Sequence, residues 1–287
     1  MIHAVVKQNS VAIEAKQVPY HAALEYDHEI ICSGSGISSR FVLTAAHCLM
    51  EVKQMRKLTV IFQKDAKNGG YAYRVRKLFT HPSYREKKYH DFDYDFSSFL
   101  LSSGISTESL WIRSGSACHA NGGKISRVRK VITHPKFNKN TFDYDFAILK
   151  LDKDLKFNGK TMAVELPRQN NKINHTIVML VSGWGLTNKS SERVSNELLA
   201  VNVPTVSYKK CQKIYKKIRN VTPRMFCAGY NEGAKDTCEG DSGGPLVKDR
   251  VQYGIVSWGY GCAIKGFPGV YARVASVRNW IRNVTGI

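Results

Sequence analysis

Apolar residues in this chain come in short runs separated by turn-forming residues, as in Val60–Phe62, Ala147–Leu151, Ile177–Val181 and Tyr253–Ser257. Such runs have strand length rather than helix length. Their recurrence predicts an all-β sandwich or barrel. One stretch reads differently: Val274, Val277, Trp280 and Ile281 fall on one face at helical spacing, which predicts a helix closing the chain. A length of 287 residues suits one large all-β unit or two ordinary domains, and 43% apolar content is enough for a sizeable core. No run is long enough to span a membrane as a helix.

An internal repeat complicates that plan. Arg74-Val75-Arg76-Lys77 recurs as Arg127-Val128-Arg129-Lys130, and Thr80-His81-Pro82 as Thr133-His134-Pro135. Phe92-Asp93-Tyr94-Asp95-Phe96 recurs as Phe142-Asp143-Tyr144-Asp145-Phe146. Residues of about 58–101 and 110–151 are therefore two versions of one segment. Two copies are too few for a solenoid. They indicate a local duplication, arising either from a duplicated or misjoined exon or from a functional insertion.

The formal net charge is +20, which favours anionic partners such as glycosaminoglycan or acidic protein, or else only a solvated basic surface. No nucleic-acid motif accompanies it. Seven cysteines occur without a Cys-x-x-Cys pair or zinc spacing, so disulfides are expected and a metal is not. Sequons at Asn174, Asn188, Asn220 and Asn283 also fit an oxidising, extracellular setting and a glycoprotein. Met1-Ile2-His3-Ala4 shows neither region of a signal peptide. Either a leader precedes this sequence or the protein is not secreted.

The chemistry centres on Gly240-Asp241-Ser242-Gly243-Gly244-Pro245. A serine hydroxyl is a poor nucleophile at neutral pH, so it needs a base for its proton and donors for the oxyanion that forms. Glycines on both sides of Ser242 permit a tight turn in which the N–H groups of Gly240 and Ser242 aim at one point. The candidate base is His47, in Thr44-Ala45-Ala46-His47-Cys48.

These motifs resemble those of the trypsin-like, chymotrypsin-fold serine peptidase family. The likeness runs from about Val11 to the C-terminus, apart from the duplicated stretch. It also includes Pro19-Tyr20, Asp145-Phe146-Ala147-Ile148-Leu149, Ser182-Gly183-Trp184-Gly185, Val256-Ser257-Trp258-Gly259 and Pro268-Gly269-Val270-Tyr271. The resemblance implies two six-stranded antiparallel Greek-key barrels with the site between them and a C-terminal helix. It implies one peptidase domain over residues 5–287, interrupted by the repeat, and a Ser-His-Asp triad that needs no cofactor. Partners would be protein or peptide substrates and protein inhibitors, and the chain would act as a secreted monomer with a zymogen form.

The repeat leaves two candidates for the aspartate. In the family template it follows histidine by about 45 positions and precedes serine by about 93. Asp95 lies 48 residues after His47 and 147 before Ser242, whereas Asp145 lies 98 after and 97 before. Each satisfies one interval only. Asp145 is followed by Phe-Ala-Ile-Leu-Lys-Leu, an apolar strand able to bury beside the histidine, and Asp95 by Phe-Ser-Ser-Phe-Leu-Leu. Two buried hydroxyls without partners would cost about 1–3 kcal/mol each. This favours Asp145.

By the same resemblance, Asp236 forms the floor of the primary pocket, with Ser257, Trp258, Gly259 and Gly269 also contacting substrate. A carboxylate there selects Arg or Lys. Expected disulfides are Cys32–Cys48, Cys211–Cys227 and Cys238–Cys262, leaving Cys118 over. Three departures stand out. Val5-Val6-Lys7-Gln8 occupies the place of the family's Ile-Val-Gly-Gly terminus, without a preceding Arg or Lys, so no activation site is evident, and the amine that the resemblance expects to pair with Asp241 is not obviously provided by this N-terminus. Cys32-Ser33-Gly34-Ser35-Gly36 replaces the usual Cys-Gly-Gly-Ser, and the extra copy adds about 50 residues. These features leave open a catalytically silent homologue that binds polyanions or protease partners, using the basic segment Tyr208–Arg219.

Overall fold

The computed structural model describes residues 10–26, 29–50, 110–186, 194–233 and 240–287. The chain divides into two compact units, Met1–Met50 with Ile105–Ile287, and Glu51–Gly104. All the described residues belong to the first. The run Val60–Phe62 and the first copy of the repeat lie outside them.

The chain opens with a two-residue strand, β1 (Val11–Ala12). Six strands then close a barrel: β2 (His21–Tyr26), β3 (Glu29–Gly36), β4 (Phe41–Thr44), β5 (Leu110–Ser114), β6 (Lys124–Thr133) and β7 (Ala147–Leu151). Their order around the barrel is β2-β3-β4-β7-β6-β5, with every neighbouring pair antiparallel. Strands β5, β6 and β7 come from the second copy of the repeat. In β5, Leu110 and Ile112 point inward while Trp111 and Arg113 are partly exposed, the alternation of a strand with one face on a core. Strand β7 buries Ala147, Ile148 and Leu149 completely, as its uninterrupted apolar run predicts.

The second barrel comprises β8 (Val178–Gly183), β9 (Leu199–Val206), β10 (Met225–Ala228), β11 (Pro245–Lys248), β12 (Val251–Trp258) and β13 (Gly269–Arg273). The order β9-β10-β13-β12-β11-β8 is closed by pairing of β8 with β9, and β1 adds to β9. The expected pair of six-stranded antiparallel barrels is present. Met179, Val181, Val203, Phe226, Leu246 and Tyr271 form the core of the second. Asp249 and Arg250 join β11 to β12 at φ 49° and 64°, the paired positive φ of a tight hairpin turn.

Helix α1 (Tyr208–Tyr215) is capped by Ser207, whose side chain accepts from the Lys210 N–H. The apolar stripe at the C-terminus is divided. Val274–Ser276 form a 3-10 turn, and α2 covers Arg278–Thr285. Val274, Val277 and Ile281 are buried, and Gly286 ends the helix at φ 78° with its N–H on the Arg282 carbonyl. No helix among the described residues is long and apolar enough to cross a membrane.

Polar contacts tie the barrels together. The Ser35 hydroxyl donates to Gln252 Oε1 at 2.6 Å, Ser182 Oγ lies 2.8 Å from His21 Nδ1, and the Ser33 N–H donates to the Ser242 carbonyl at 2.8 Å. All of these join β2 or β3 to the second barrel, the seam along which the chemistry-bearing residues lie.

Candidate active site

His47 follows β4, on the turn tied down by the Cys32–Cys48 disulfide. Asp145 sits two residues before β7, the strand paired with β4. Thr44 lies opposite Ala147 in that pairing, so the two loops leave the barrel side by side. Asp145 is fully buried and engages His47 twice: the His47 backbone N–H donates to Oδ1 at 2.9 Å, and Nδ1 lies 2.7 Å from Oδ2. Two contacts from one carboxylate fix both the loop and the ring. They leave Nε2 as the imidazole nitrogen able to accept a proton. Asp95 lies outside the described residues.

A further ligand of Asp145 comes from the second barrel. The Ser257 hydroxyl donates to Oδ2 at 2.6 Å. Ser257 occupies a bulge in β12, where Val256 pairs with Tyr271 and Trp258 with Val270, leaving the serine without an opposite residue. A bulge re-aims a side chain, and here it turns a buried hydroxyl onto the carboxylate. The family resemblance implies only that Ser257 contacts substrate. The bond to Asp145 had no signal in the sequence, because it depends on the bulge and on two barrels meeting.

The loop before Asp145 is strained and heavily braced. Phe142 and Tyr144 adopt φ 57° and 54°, unusual for residues with side chains. Asp143 Oδ1 accepts from Thr222 Oγ1 at 2.7 Å and from Arg224 Nε at 3.1 Å, while Oδ2 accepts from Arg224 Nη2. Burial by itself would raise the Asp143 pKa. The hydrogen bonds from Arg224 and Thr222 and the arginine's charge outweigh it and hold the carboxyl below its usual range. The Arg224 guanidinium also lies 4.9 Å from the Tyr144 ring centre. His134 stacks on the other aromatic contact of that loop, 4.6 Å from Tyr144, and meets Trp280 of α2 edge-on at 4.7 Å. Burial, then the nearby Lys136 charge, push the His134 pKa down to about 4.

The Ser242 turn is built from backbone. Gly240 and Gly243 have φ of 91° and 78°. A Cβ on Gly243 would stand 2.3 Å from Thr44 Oγ1 and 2.4 Å from the Ser33 carbonyl, so only glycine lets this turn approach the strands that carry His47. The Gly243 N–H donates to the Val256 carbonyl at 2.9 Å. Ser33, where the sequence departs from the usual glycine, holds the Ser242 carbonyl through its backbone N–H, a contact indifferent to the side chain. Asp241 is buried, and its Oδ1 accepts from the Gly185 N–H at 2.8 Å. Added Cβ atoms on Gly183 and Gly185 would lie 2.1 and 2.5 Å from its carboxylate, which explains the glycines of Ser182-Gly183-Trp184-Gly185. Residues 1–9, the expected source of an amine for Asp241, lie outside the described residues.

Asp236 and Cys238 also lie outside them. Cys262, the expected partner of Cys238, is disulfide-bonded. Cys211–Cys227 forms, joining α1 to β10, and Cys118 is a free, half-buried thiol. Trp258 is half-buried against the Tyr215 ring at 4.9 Å. Gly259 is exposed, with the Gly261 carbonyl, 3.5 Å from its would-be Cβ, as the nearest atom among the described residues, and Gly269 is the buried first residue of β13. Among the described residues the one cluster with ligand-like spacing for a metal is Cys32, His47 and Cys48. Its two sulfurs are spent on the disulfide, so they cannot serve as thiolates.

Comparison with known proteins accords with this arrangement. The Trypsin family model matches twice, at residues 7–109 and 101–281. Two partial matches of one model are what a duplication inside a single domain would produce. Trypsin 5G1 of Aedes aegypti is 51% identical over 178 residues, 62% of this chain and 66% of that protein, so this match falls just short of two thirds of the relative's length. The vitellin-degrading protease of Bombyx mori is 32% identical over 272 residues, covering 94% of this chain and 83% of the relative. Cationic trypsin-3 of Rattus norvegicus is 43% identical over 153 residues, 53% of this chain and 60% of its own. With the family model and a relative both spanning most of its length, the chain belongs to the trypsin family of serine proteases.

Proposed function

We propose that this chain is an endopeptidase that cleaves after Arg or Lys through His47, Asp145 and Ser242. The observation that carries the proposal is the double engagement of His47 by a fully buried Asp145. A carboxylate in that position stabilises the imidazolium formed when Nε2 takes the Ser242 proton. Ser242 then attacks the scissile carbonyl, and the N–H groups of Gly240 and Ser242 receive the oxyanion. His47 returns the proton to the leaving amine, an acyl-enzyme remains, and water releases it by the same steps. Asp236, with open walls at Gly259 and Gly269, supplies the preference for a basic side chain, and a third disulfide, Cys238–Cys262, braces that pocket.

The duplicated segment is read as an interruption of one peptidase domain, and extracellular location, a zymogen form and glycosylation go with the family assignment. Asn174, Asn220 and Asn283 are exposed, as glycan acceptors must be. Protein inhibitors would occupy the same cleft. Lys209, Lys210, Lys213, Lys216 and Lys217 are exposed on or just beyond α1, which supports polyanion binding as a second property. Retention on heparin at low salt tests it.

The main test is a peptide library with the full chain and with Ser242→Ala. Cleavage confined to bonds after Arg or Lys, and absent in the variant, is the expected result. A profile dominated by aromatic residues before the bond, or turnover that survives Ser242→Ala, overturns the reading.

A further inference from the structure

We propose that Asn220 is an N-glycosylation site whose oligosaccharide stands over the approach to His47, admitting short or unfolded polypeptides and excluding folded proteins. The inference rests on the proteolytic and extracellular readings above. It adds to them a role for one modification and a class of substrate.

The sequon is Asn220-Val221-Thr222, with no proline at its middle position. It lies in the irregular stretch between α1 and β10. Asn220 is exposed, Val221 is buried and Thr222 is half-buried. Val221 packs in a core with Cys211, Tyr215 and Cys227. Its carbonyl accepts from the Tyr208 hydroxyl at 3.1 Å and from Gln212 Nε2 at 3.3 Å. The Thr222 hydroxyl donates to Asp143 Oδ1 at 2.7 Å. On the other side, the Arg219 N–H donates to the carbonyl of the fully buried Tyr215 at 2.9 Å. Asn220 is thus an outward side chain in a run of pinned residues. A sugar attached to it grows from a fixed root.

That root is beside the loop that carries Asp145. Thr222 holds Asp143, two residues before Asp145. The Arg219 guanidinium carbon lies 4.5 Å from the Phe142 ring centre and 5.1 Å from that of Trp258. The Phe142 ring is in turn 5.3 Å from the His47 imidazole. The residues that bracket Asn220-Val221 therefore both contact the Asp145 loop. A branched, hydrated oligosaccharide sweeps a volume larger than this chain of contacts. A flexible peptide threads past it. A folded protein must bring a rigid surface against the site, and meets the sugar first.

Attachment breaks the C1–O bond between the oligosaccharide and a lipid pyrophosphate carrier and forms a C1–Nδ2 bond to Asn220. The pyrophosphate leaves with the bonding electron pair, and Nδ2 gives up one proton. Recognition of the sequon requires the hydroxyl at its third position. In the folded chain the Thr222 hydroxyl is spent on Asp143. The sugar is therefore added before the loop closes, and the outward setting of Asn220 lets the chain fold with it in place.

The experiment directs the full chain through the secretory pathway of eukaryotic cells. The mass of the peptide holding Asn220 is measured before and after enzymatic removal of N-glycans, and Asn220 is expected to be occupied. Turnover is then compared on two substrates with one Arg-containing cleavage sequence: a short peptide, and the same sequence in a surface loop of a folded protein. Asn220→Gln should raise kcat/KM on the folded protein by about 10-fold, the low end of the range over which association rates of related complexes vary. Its kcat/KM on the short peptide should be unchanged. Trimming the wild-type glycans to their first sugar should act as Asn220→Gln does, whereas Asn174→Gln and Asn283→Gln should not. Because each ratio compares two substrates on one enzyme, a general loss of activity in a variant does not move it. An unmodified Asn220, or the same ratio in wild type and Asn220→Gln, overturns the proposal. If the short peptide is not cleaved, the proteolytic reading fails. Binding of a Kunitz-type protein inhibitor relative to p-aminobenzamidine, with and without Asn220→Gln, then decides the shielding, and an equal ratio or no binding of either overturns it.

Discussion

The loop ending in Asp145 and the turn around Ser242 both pack against the barrel segment that runs from Ser33 to His47 but are held by opposite means. The Ser242 turn is shaped by glycine: left-handed backbone at Gly240 and Gly243, no room for a Cβ, and main-chain hydrogen bonds to Ser33 and Val256. The Asp145 loop contains no glycine from Phe142 onward. It accepts positive φ at Phe142 and Tyr144 because side chains from elsewhere hold it: Thr222 and Arg224 on Asp143, His134 on Tyr144, Arg219 on Phe142. One feature is therefore local and announces itself as a six-residue motif. The other is a consensus among distant segments, and its sequence, Phe-Asp-Tyr-Asp-Phe, does not by itself specify that consensus.

The largest effect should come from separating the two copies. Asp145→Asn is expected to lower kcat by about 10³- to 10⁴-fold, since the amide no longer stabilises the imidazolium or selects its tautomer. Asp95→Asn should leave kcat within about twofold. Steady-state kinetics on one peptide decides it, and loss of turnover in Asp95→Asn alone would reverse the assignment.

Next comes the glycine turn. Gly243→Ala places a methyl group against Thr44 Oγ1 and the Ser33 carbonyl, which are main-chain and short side-chain atoms with little room to move. A loss of activity beyond about 100-fold, with about 2–4 kcal/mol of stability, is expected from overpacking and left-handed strain together. Gly266 has φ of 82° but, among the described residues, nothing within 4 Å of its would-be Cβ. Gly266→Ala should cost only about 1 kcal/mol and spare turnover. Equal losses in the two variants would mean that strain, and not the contact between barrels, is what Gly243 relieves.

The side-chain brace should yield more gradually. Arg224→Ala leaves the Asp143 carboxylate without its cation, and a loss of about 2–3 kcal/mol is expected by chemical denaturation. Because the brace acts through the position of Asp145, kcat should fall about 10-fold with KM within twofold. Thr222→Val removes one hydrogen bond and should cost about 1 kcal/mol. An effect confined to KM would contradict a positioning role.

The smallest effect is a pH slope. The folded state holds the His134 pKa near 4, below its usual value of 6.5. Between those values the unfolded chain binds the proton and the folded chain does not, so His134 contributes stability that is full above about pH 6.5 and is lost as pH falls toward 4. Asp143 acts in the same direction at lower pH, because its carboxyl is also held below its usual range. His134→Phe keeps the stacking on Tyr144 and removes the titration. Its thermal unfolding temperature should fall less between pH 7 and pH 4.5 than that of the wild type, and parallel curves would exclude His134 as the source.

Much of this molecule could be read before its structure. Short apolar runs announce barrels because strands of this length must bury one or both faces. His47 and Ser242 stand out as candidates because their motifs constrain residue type over a few positions, and the pairings Cys32–Cys48 and Cys211–Cys227 are implied by the family resemblance. Three matters were decided by the tertiary structure. Asp145 meets His47 because β4 and β7 pair, which brings residues 98 apart to one end of a barrel. Ser257 reaches Asp145 because a bulge rotates it out of the ladder toward the other barrel. Arg219 lies over Phe142 and Trp258 because a buried tyrosine anchors the turn after α1. Local sequence specifies turns and burial patterns, which depend on near neighbours. Contacts between the barrels depend on closure and register of twelve strands at once, and so they arise only when the whole chain has folded.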